Sequence, residues 1–304
     1  MGNCGSYCCP GSESHEVSNM KETKDIKDTK TVTKRKTEKG KKAKGMGVTS
    51  DQGQFIEEYE NESKTRQEKR IRKEEQTLKS GAKYTGEWIG TKRDGQGVQI
   101  WRDSSRYEGT WLDDQAHGFG KLYHADGDIY EGEWKNDKAH GNGKYIHANG
   151  ATYEGSWSND KQDGYGVETW PDNARYEGNY VEGRKEGKGK LYFADDSVYE
   201  GEFKDNEING RGKYEWTDGK TYEGTWVNNK MSGKGVLTWK DGKFYDGEFY
   251  DDKRHGYGEF KWADGRVYKG QWLNGKQHGE GVFIGSDNKE RKGEWVEGKR
   301  VKWL

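Results

Sequence analysis

Aromatic residues and glycines recur along this chain at a fixed spacing of 23 residues. The segment from Tyr107 to Gly120 reads YEGTWLDDQAHGFG, and segments of the same form begin at Tyr130 and Tyr153. With the tyrosine as position 0, each unit has a glycine at +2, an aromatic residue at +4 and Gly-x-Gly at +11 and +13. The tyrosines are Tyr84, Tyr107, Tyr130, Tyr153, Tyr176, Tyr199, Tyr222, Tyr245 and Tyr268, and Arg291 takes the tenth place. Nine copies without an insertion predict a protein built by stacking one structural unit.

The alternation within one unit predicts two short β-strands. Positions 0, +2 and +4 share one face of a strand because successive side chains point to opposite sides. The intervening positions, such as Glu108 and Thr110, are polar and should face water. A second strand follows the Gly-x-Gly pair, with apolar residues at +15 and often at +17, and Asp-Gly or Asn-Gly at +19 and +20 is a strong hairpin signal. We predict that Gly118 and Gly120 let the chain turn into this second strand.

These units predict an all-β fold, an elongated single-layer antiparallel meander of stacked 23-residue hairpins over residues 81–304. It would contain nine full repeats and a capping half-repeat at 291–304. Identical rings of successive repeats should stand beside each other across strands and leave one aromatic face exposed. Because large exposed apolar patches mark interaction sites, this face is the predicted partner surface. Its residues are Tyr107, Trp111, Tyr130, Trp134, Tyr153, Trp157, Tyr222, Trp226, Tyr268 and Trp272.

The chain before the repeats divides into two parts. Residues 51–80 have glutamates early and basic residues late, which complements a helix dipole. We predict a helix from Asp51 to about Lys79, which either caps the first sheet edge or binds a partner such as calmodulin. Residues 10–50 are poor in apolar residues and rich in Lys, Thr, Ser and Glu, a composition typical of disorder. Residues 1–50 are therefore predicted to be an acylated, basic, disordered tail.

The first nine residues, MGNCGSYCC, carry the only chemical motif that we identify. Gly2, with Ser6, matches the pattern for N-myristoylation. All three cysteines, Cys4, Cys8 and Cys9, lie beside that glycine, where a thiol already held at a membrane is suited to S-palmitoylation. One myristoyl chain anchors a protein only marginally, whereas a second acyl chain makes anchoring stable. A redox cluster or a metal site is the alternative interpretation of these cysteines.

A basic run at residues 30–44, KTVTKRKTEKGKKAK, supplies a third membrane signal. Near an anionic leaflet each basic residue contributes about 1 kcal/mol of attraction. The alternative is a merely solvated tail or a run that only resembles a nuclear-localisation signal. Phosphorylation of the interleaved threonines would weaken the attachment by cancelling charge. The predicted contacts with anionic lipid are Lys34, Arg35, Lys36, Lys39, Lys41, Lys42 and Lys44.

Charge and hydropathy narrow the function classes. Residues 1–80 carry 18 basic and 14 acidic side chains, and residues 81–304 carry 35 and 40. This mildly acidic body argues against nucleic-acid binding. No stretch approaches the roughly 18 apolar residues of a membrane-spanning helix, and no apolar signal-peptide core follows Met1. We therefore expect the folded part to be cytosolic and reduced.

Candidate catalytic and metal-binding patterns within the repeats are weak. None of the Gly-x-Gly pairs matches the phosphate-loop pattern. Repeated glutamates in identical environments do not supply the two carboxylates of different pKa that acid–base catalysis requires. Histidines of neighbouring repeats could meet at a metal ion, although a tolerant loop position is the simpler interpretation. These histidines are His117, His140, His255 and His278 at +10, and His124 and His147 at +17. We predict no catalytic residue, no metal site and no cofactor.

The pattern Tyr-x-Gly-x-Trp-x6-Gly-x-Gly resembles the membrane occupation and recognition nexus (MORN) repeat family. Proteins with such repeats include junctophilins, radial-spoke head proteins, apicomplexan cortical scaffolds and one branch of plant phosphatidylinositol-phosphate kinases. The resemblance implies roles in membrane apposition, cortical or ciliary assembly, and protein docking. We expect a non-enzymatic, membrane-tethered scaffold that docks an unidentified protein at the cytosolic face of a plasma or ciliary membrane, or at the cell cortex.

Two other functions stay open. One is an axonemal structural subunit of the radial-spoke-head type, whose N-terminus is unmodified or directs it to a ciliary membrane. The other is direct phosphoinositide binding by the repeats, which the family name suggests and the net negative charge of the repeats opposes. Pairing into a homodimer is considered as well, because the edge strands of an open sheet invite pairing with a second copy.

Overall fold

A computed structural model describes residues 69–304, which form one open antiparallel sheet of 21 strands. Each strand pairs with the strands before and after it in sequence, so β1 and β21 are the edges. The strands are β1 Ile71–Thr77, β2 Lys83–Ile89, β3 Lys92–Ile100, β4 Arg106–Leu112, β5 Gln115–Tyr123, β6 Ile129–Lys135, β7 Lys138–Ile146, β8 Thr152–Ser158, β9 Lys161–Thr169, β10 Arg175–Val181, β11 Arg184–Tyr192, β12 Val198–Lys204, β13 Glu207–Glu215, β14 Thr221–Val227, β15 Lys230–Thr238, β16 Phe244–Tyr250, β17 Lys253–Lys261, β18 Val267–Leu273, β19 Lys276–Ile284, β20 Glu290–Val296 and β21 Lys299–Trp303.

The predicted fold class is confirmed. Each 23-residue unit contributes two strands to a meander; in the unit that begins at Tyr107 they are β4 and β5. The half-repeat at the C-terminal end forms β20 and β21, which pair antiparallel through Val296 and Lys299.

The helix predicted from Asp51 to about Lys79 is wrong over the part that the structure describes. Strand β1 lies there instead and pairs antiparallel with β2, for example Thr77 with Lys83. The edge of β2 offers a row of backbone hydrogen-bonding groups, and such tertiary pairing routinely overrides a weak helix propensity. Residues 51–68 lie outside the described residues.

Two kinds of turn connect the strands. Between units, the predicted hairpin signal is confirmed: Gly127 has a φ of 98°, and its N–H donates to the His124 carbonyl at 3.1 Å. Within a unit, the two residues at +6 and +7 make the turn. Asp113 and Asp114 both have positive φ, 50° and 74°, which is the geometry of a two-residue type I′ hairpin turn.

The Gly-x-Gly pair lies inside the second strand, so the prediction that Gly118 and Gly120 turn the chain is wrong. Gly118 has a φ of 78° and lies where the register of β4 and β5 shifts, between Gly109 and Trp111. Gly120 lies opposite Gly109. A side chain at Gly120 would overlap the Tyr107 ring. The first glycine therefore allows a β-bulge and the second makes room for a ring.

Tyrosines at 0 and aromatic residues at +4 form the core on one face of the sheet. Tyr107 meets Trp111 of its own unit at 5.0 Å and Trp134 of the next unit at 5.2 Å, both edge to face. Identical rings therefore do not stand side by side as predicted. The cross-strand neighbours of Tyr107 are Gln99 and Leu122, both at +15. The core is a continuous chain of alternating rings that links each unit to the next.

The core rings also hold backbone groups. All nine tyrosine hydroxyls donate to the carbonyl three residues later. Five tryptophan indoles donate to the carbonyl of the second glycine of the preceding unit, as Trp134 does to Gly120 at 3.1 Å. Burial raises the pKa of seven of these tyrosines, to about 12 at Tyr268, so these seven remain neutral donors.

Candidate protein-docking surface

The ten aromatic residues predicted to be an exposed partner surface are buried. None of them, from Tyr107 to Trp272, is more than 6% exposed. Each tyrosine lies over two glycines and against the tryptophan or its aromatic replacement in the next unit. These side chains build the sheet, and a partner cannot reach them.

A second aromatic row on the same face is accessible. It occupies position +17, just beyond the second strand of the unit, and its side chains are half-buried against the core. Trp216 packs on Tyr214 at 4.5 Å, and Trp262 packs on Phe260 at 4.8 Å. This outer aromatic row consists of Trp101, Trp170, Phe193, Trp216, Trp239 and Trp262.

In the C-terminal half the outer aromatic row is continuous with the ring at +15. Phe260 lies 5.8 Å from Trp239 and 4.8 Å from Trp262. Trp262 lies 6.1 Å from Phe283, which in turn lies 6.4 Å from Trp303 on the edge strand β21. The apolar residues at +17 are evident in the sequence and are the signal for the outer aromatic row. The partner surface was nevertheless predicted at the more regular positions 0 and +4.

One polar cluster interrupts this face between the fourth and fifth units. Glu168 takes the place of an apolar residue at +15, Tyr180 that of tryptophan at +4, and Lys185 that of a small or apolar residue at +9. The Lys185 ammonium and the Tyr180 hydroxyl both donate to Glu168 Oε2 at 2.8 Å. Burial and the Glu168 charge raise the pKa of Tyr180 well above its usual range. We did not predict this cluster, although three departures from the repeat pattern within 18 residues were its signal.

Cations at +9 also enter this face in the first and eighth units. The Arg93 guanidinium lies 4.1 Å from the Trp111 ring, and its Nε donates to the Asp114 carboxylate at 3.1 Å. The Arg254 guanidinium lies 4.5 Å from the Trp272 ring. Burial lowers the pKa of Arg254. Three units therefore place a cation on this face of the sheet, and one of them, Lys185, contacts the outer aromatic row at Trp170.

A surface depression lies beside the polar cluster, between the turns that follow β9 and β11. Its volume is about 430 Å³. Two members of the outer aromatic row, Trp170 and Phe193, contribute to its wall. Its other lining residues are Thr169, Asn173, Arg175, Tyr192 and Asp196. The depression could accept one side chain of a docked protein.

The model of the MORN repeat family matches this chain nine times in succession. The matches are 84–106, 107–129, 130–152, 153–175, 176–198, 199–221, 222–244, 245–265 and 268–289, which together cover more than half of the chain. The chain belongs to the MORN repeat family.

Other comparisons add no functional argument. No curated protein sequence matches this chain. The TCP10 domain of Danio rerio CPAP, in complex with a peptide of Danio rerio STIL, is 16% identical over 77% of this chain and 98% of that chain, with a TM-score of 0.43. The SAS-4 (dCPAP) TCP domain of Drosophila melanogaster, in complex with a proline-rich motif of Ana2 (dSTIL), is 13% identical over 57% of this chain and 86% of that chain, with a TM-score of 0.32. Both similarities are too low to indicate a function for the MORN repeats.

The opposite face of the MORN sheet carries a ladder of alternating charge. Three of the four lysines at +14 pair with the glutamate at +1 of the next unit, as Lys121 does with Glu131 at 2.9 Å and Lys190 with Glu200 at 3.0 Å, and the fourth, Lys213, pairs with Glu215. Each exposed pair contributes little stability. The pairing nevertheless neutralises these lysines one by one, which does not favour phosphoinositide binding by this face.

His147, one of the histidines at +17, makes a local polar contact in the MORN sheet. His147 Nδ1 lies 3.2 Å from the Asp128 carboxylate, which also accepts the Tyr145 hydroxyl at 2.7 Å. Partial burial acts to raise the pKa of Asp128, but hydrogen bonds from Tyr145 and the Ala148 N–H and the charge of His147 together hold this pKa below its usual value. Within residues 69–304, no group of three or more His, Cys, Asp or Glu side chains is arranged to hold a metal ion.

The predicted membrane signals lie outside the described residues. These are the lipidation residues Gly2, Cys4, Cys8 and Cys9 and the lipid contacts from Lys34 to Lys44. The part of the chain that the structure describes has no helix with the length and hydropathy needed to cross a bilayer.

Proposed function

We propose that this protein is a non-enzymatic MORN-repeat scaffold that docks a partner protein on its outer aromatic row and is held at the cytosolic face of a membrane by acyl chains. The observation that carries the docking function is the half-buried outer aromatic row. Aromatic side chains bring a large apolar area to an interface and are enriched among its energetically dominant residues.

Membrane attachment rests on the N-terminal sequence. Gly2 and the three nearby cysteines supply two acylation signals, and residues 30–44 supply a basic run. Two acyl chains give stable anchoring where one gives only reversible binding. The scaffold would thus combine a tether at one end of the sequence with a docking face on the repeats.

Proximity labelling in cells tests the docking function. The double variant Trp239→Ser, Trp262→Ser removes two rings of the outer aromatic row and should lose the proteins that wild type labels. A matched control, Tyr250→Ser with Tyr257→Ser, removes two exposed rings, 67% and 58% exposed, from the opposite face and should keep them. Labelling of the same proteins by all three chains would refute docking on the outer aromatic row.

Metabolic labelling with alkyne-tagged fatty acids, followed by cell fractionation, tests the tether. Wild type should incorporate both myristate and palmitate, and Gly2→Ala should move to the cytosolic fraction. Replacement of the three cysteines by serine should leave a weakly bound, salt-sensitive fraction. An unchanged membrane fraction of Gly2→Ala would reject the acyl tether and favour the axonemal alternative.

A further inference from the structure

Position +9 differs among the repeats in a way that suggests a ligand. In most units it carries alanine, isoleucine, methionine or glutamine, but three units place a cation there, Arg93, Lys185 and Arg254. Two of these cations have a carboxylate within the sheet, since Arg93 bonds Asp114 and Lys185 bonds Glu168. The charges of these two cations are therefore balanced by side chains of the sheet itself.

Arg254 lacks such a partner. The residue that would face it in the next unit, at +7, is Gly275, whereas the equivalent residue facing Arg93 is Asp114. Its Nη2 donates only to the Gly275 carbonyl, at 2.8 Å. Across residues 69–304, no carboxylate lies within 4.0 Å of its guanidinium. A buried charge without a counter-ion is costly, and a guanidinium has five donors to satisfy.

Arg254 packs on buried core rings that lie next to the outer aromatic row. Its guanidinium lies 5.3 Å from Phe260 and 4.5 Å from Trp272, and Phe260 contacts both Trp239 and Trp262. The side chain is only partly buried, so a group that approaches this strip can reach it. An apolar strip with one uncompensated cation is complementary to an apolar segment with one negative charge.

We infer that Arg254 is an anion subsite of the docking surface, and that the docked protein presents an aspartate or glutamate to it from a segment with apolar residues on either side. This inference rests on the proposed docking function and adds the chemistry of the partner. A carboxylate and a guanidinium can form two parallel hydrogen bonds. The flanking apolar residues of the partner would pack on Trp239 and Trp262.

A carboxylate fits the subsite better than a phosphate does. A phosphate group carries close to two negative charges near neutral pH and is typically held by a cluster of arginines. The groups that contact the Arg254 guanidinium within residues 69–304 are three aromatic rings and one carbonyl. One cation in an aromatic setting is matched by one monovalent anion.

Selection from a phage-displayed library of random peptides on the full-length protein tests this inference. Wild type should select peptides enriched in Asp or Glu next to aromatic or aliphatic residues. Binding of such a peptide should weaken about tenfold or more in Arg254→Met, because hydrogen bonds to a charged group are lost. Methionine fits this position, since Met231 occupies it in the preceding unit. The control Lys253→Met removes the same charge from the opposite face and should bind as wild type does.

The possible results separate the subsite from the docking surface. Changing the acidic residue of the peptide to its amide should weaken binding to wild type but add nothing to the loss in Arg254→Met. Two results would reject the subsite but keep the docking surface. One is that the selected peptides show no enrichment in acidic residues. The other is that they bind Arg254→Met as well as wild type but do not bind the Trp239→Ser, Trp262→Ser variant. Competition by inorganic phosphate but not by acetate would reject the carboxylate. The absence of any selected peptide would reject the docking surface together with the subsite.

Discussion

Gly120 shows how a missing side chain fixes the packing of one repeat. A Cβ at this position would overlap the Tyr107 ring, which also spans Gly109 on the paired strand. We expect Gly120→Ala to lower the free energy of unfolding by about 1–3 kcal/mol, the usual cost of overpacking a core. Urea unfolding followed by tryptophan fluorescence measures this. Lys121→Ala, which breaks an exposed ion pair on the opposite face, should cost less than about 1 kcal/mol, and equal losses in the two variants would contradict the packing role.

Glu133 should make the stability of the third repeat depend on pH. Burial raises the pKa of Glu133; its Oε1 accepts the Asn142 N–H at 2.8 Å, but its Oε2 has no hydrogen-bond partner among residues 69–304. Because the folded-state pKa is raised, the stability that Glu133 contributes is complete below its unfolded-state pKa and is lost as pH rises through its folded-state pKa. Glu133→Gln keeps an acceptor for Asn142 and removes the charge. Its stability relative to wild type should therefore rise from acidic to neutral pH in urea titrations, and a constant difference would contradict this.

The two-residue turns tie each repeat to the one before it. The side chain at +7 accepts the backbone N–H at +9 of the preceding unit in six places, for example Asp137 from Ala116 at 2.7 Å. Asp137 also has a φ of 65°, which aspartate and asparagine tolerate better than other side chains. The turn is therefore both a reversal of the chain and a link between repeats.

Substitutions at Asp137 should separate these two contributions. Asp137→Asn should change the free energy of unfolding by less than about 0.5 kcal/mol, because Asn206 and Asn229 make the same bond in other units. Asp137→Ala should cost about 1–3 kcal/mol through the unsatisfied N–H and the left-handed backbone. Asp137→Gly should lie between them, since glycine restores the backbone freedom but not the hydrogen bond. Equal stability of the alanine and asparagine variants would contradict the link.

How far the sequence predicts these elements depends on whether a feature is contained within one repeat. The period, the two strands and the Asp-Gly hairpin signal are local, and the structure confirms them. The Asp113-Asp114 turn was missed because its positive φ values belong to non-glycine residues that also form many other turns. The burial of Tyr107 and Trp111 was missed because it arises from rings of neighbouring repeats. That Arg254 has no carboxylate partner within residues 69–304 likewise depends on Gly275, which lies 21 residues away in the sequence.

At the scale of the whole array, backbone pairing within residues 69–304 joins only strands that follow each other in sequence. Strand β5 pairs with β4 and β6, and the core rings extend this only to the adjacent unit. The two edges carry many charged side chains, such as Lys299 and Lys302 on β21, which discourage pairing of edge strands. Homodimer formation stays a prediction. The exposed Leu304 and the 39% exposed Trp303 would contribute apolar area to such an interface.

Because stability in repeat arrays is approximately a sum over units and their interfaces, a lesion in one repeat should remain local. Hydrogen exchange followed by mass spectrometry on Gly120→Ala tests this. Exchange should increase in β4, β5 and β6, which share the Tyr107 ring contacts with Trp111 and Trp134, and should be unchanged from β14 to β19. An equal increase in all strands would show that residues 69–304 unfold as one cooperative unit. Local unfolding would instead mean that a destabilised repeat leaves the outer aromatic row of the C-terminal half intact, so that docking near Arg254 survives damage to the second repeat.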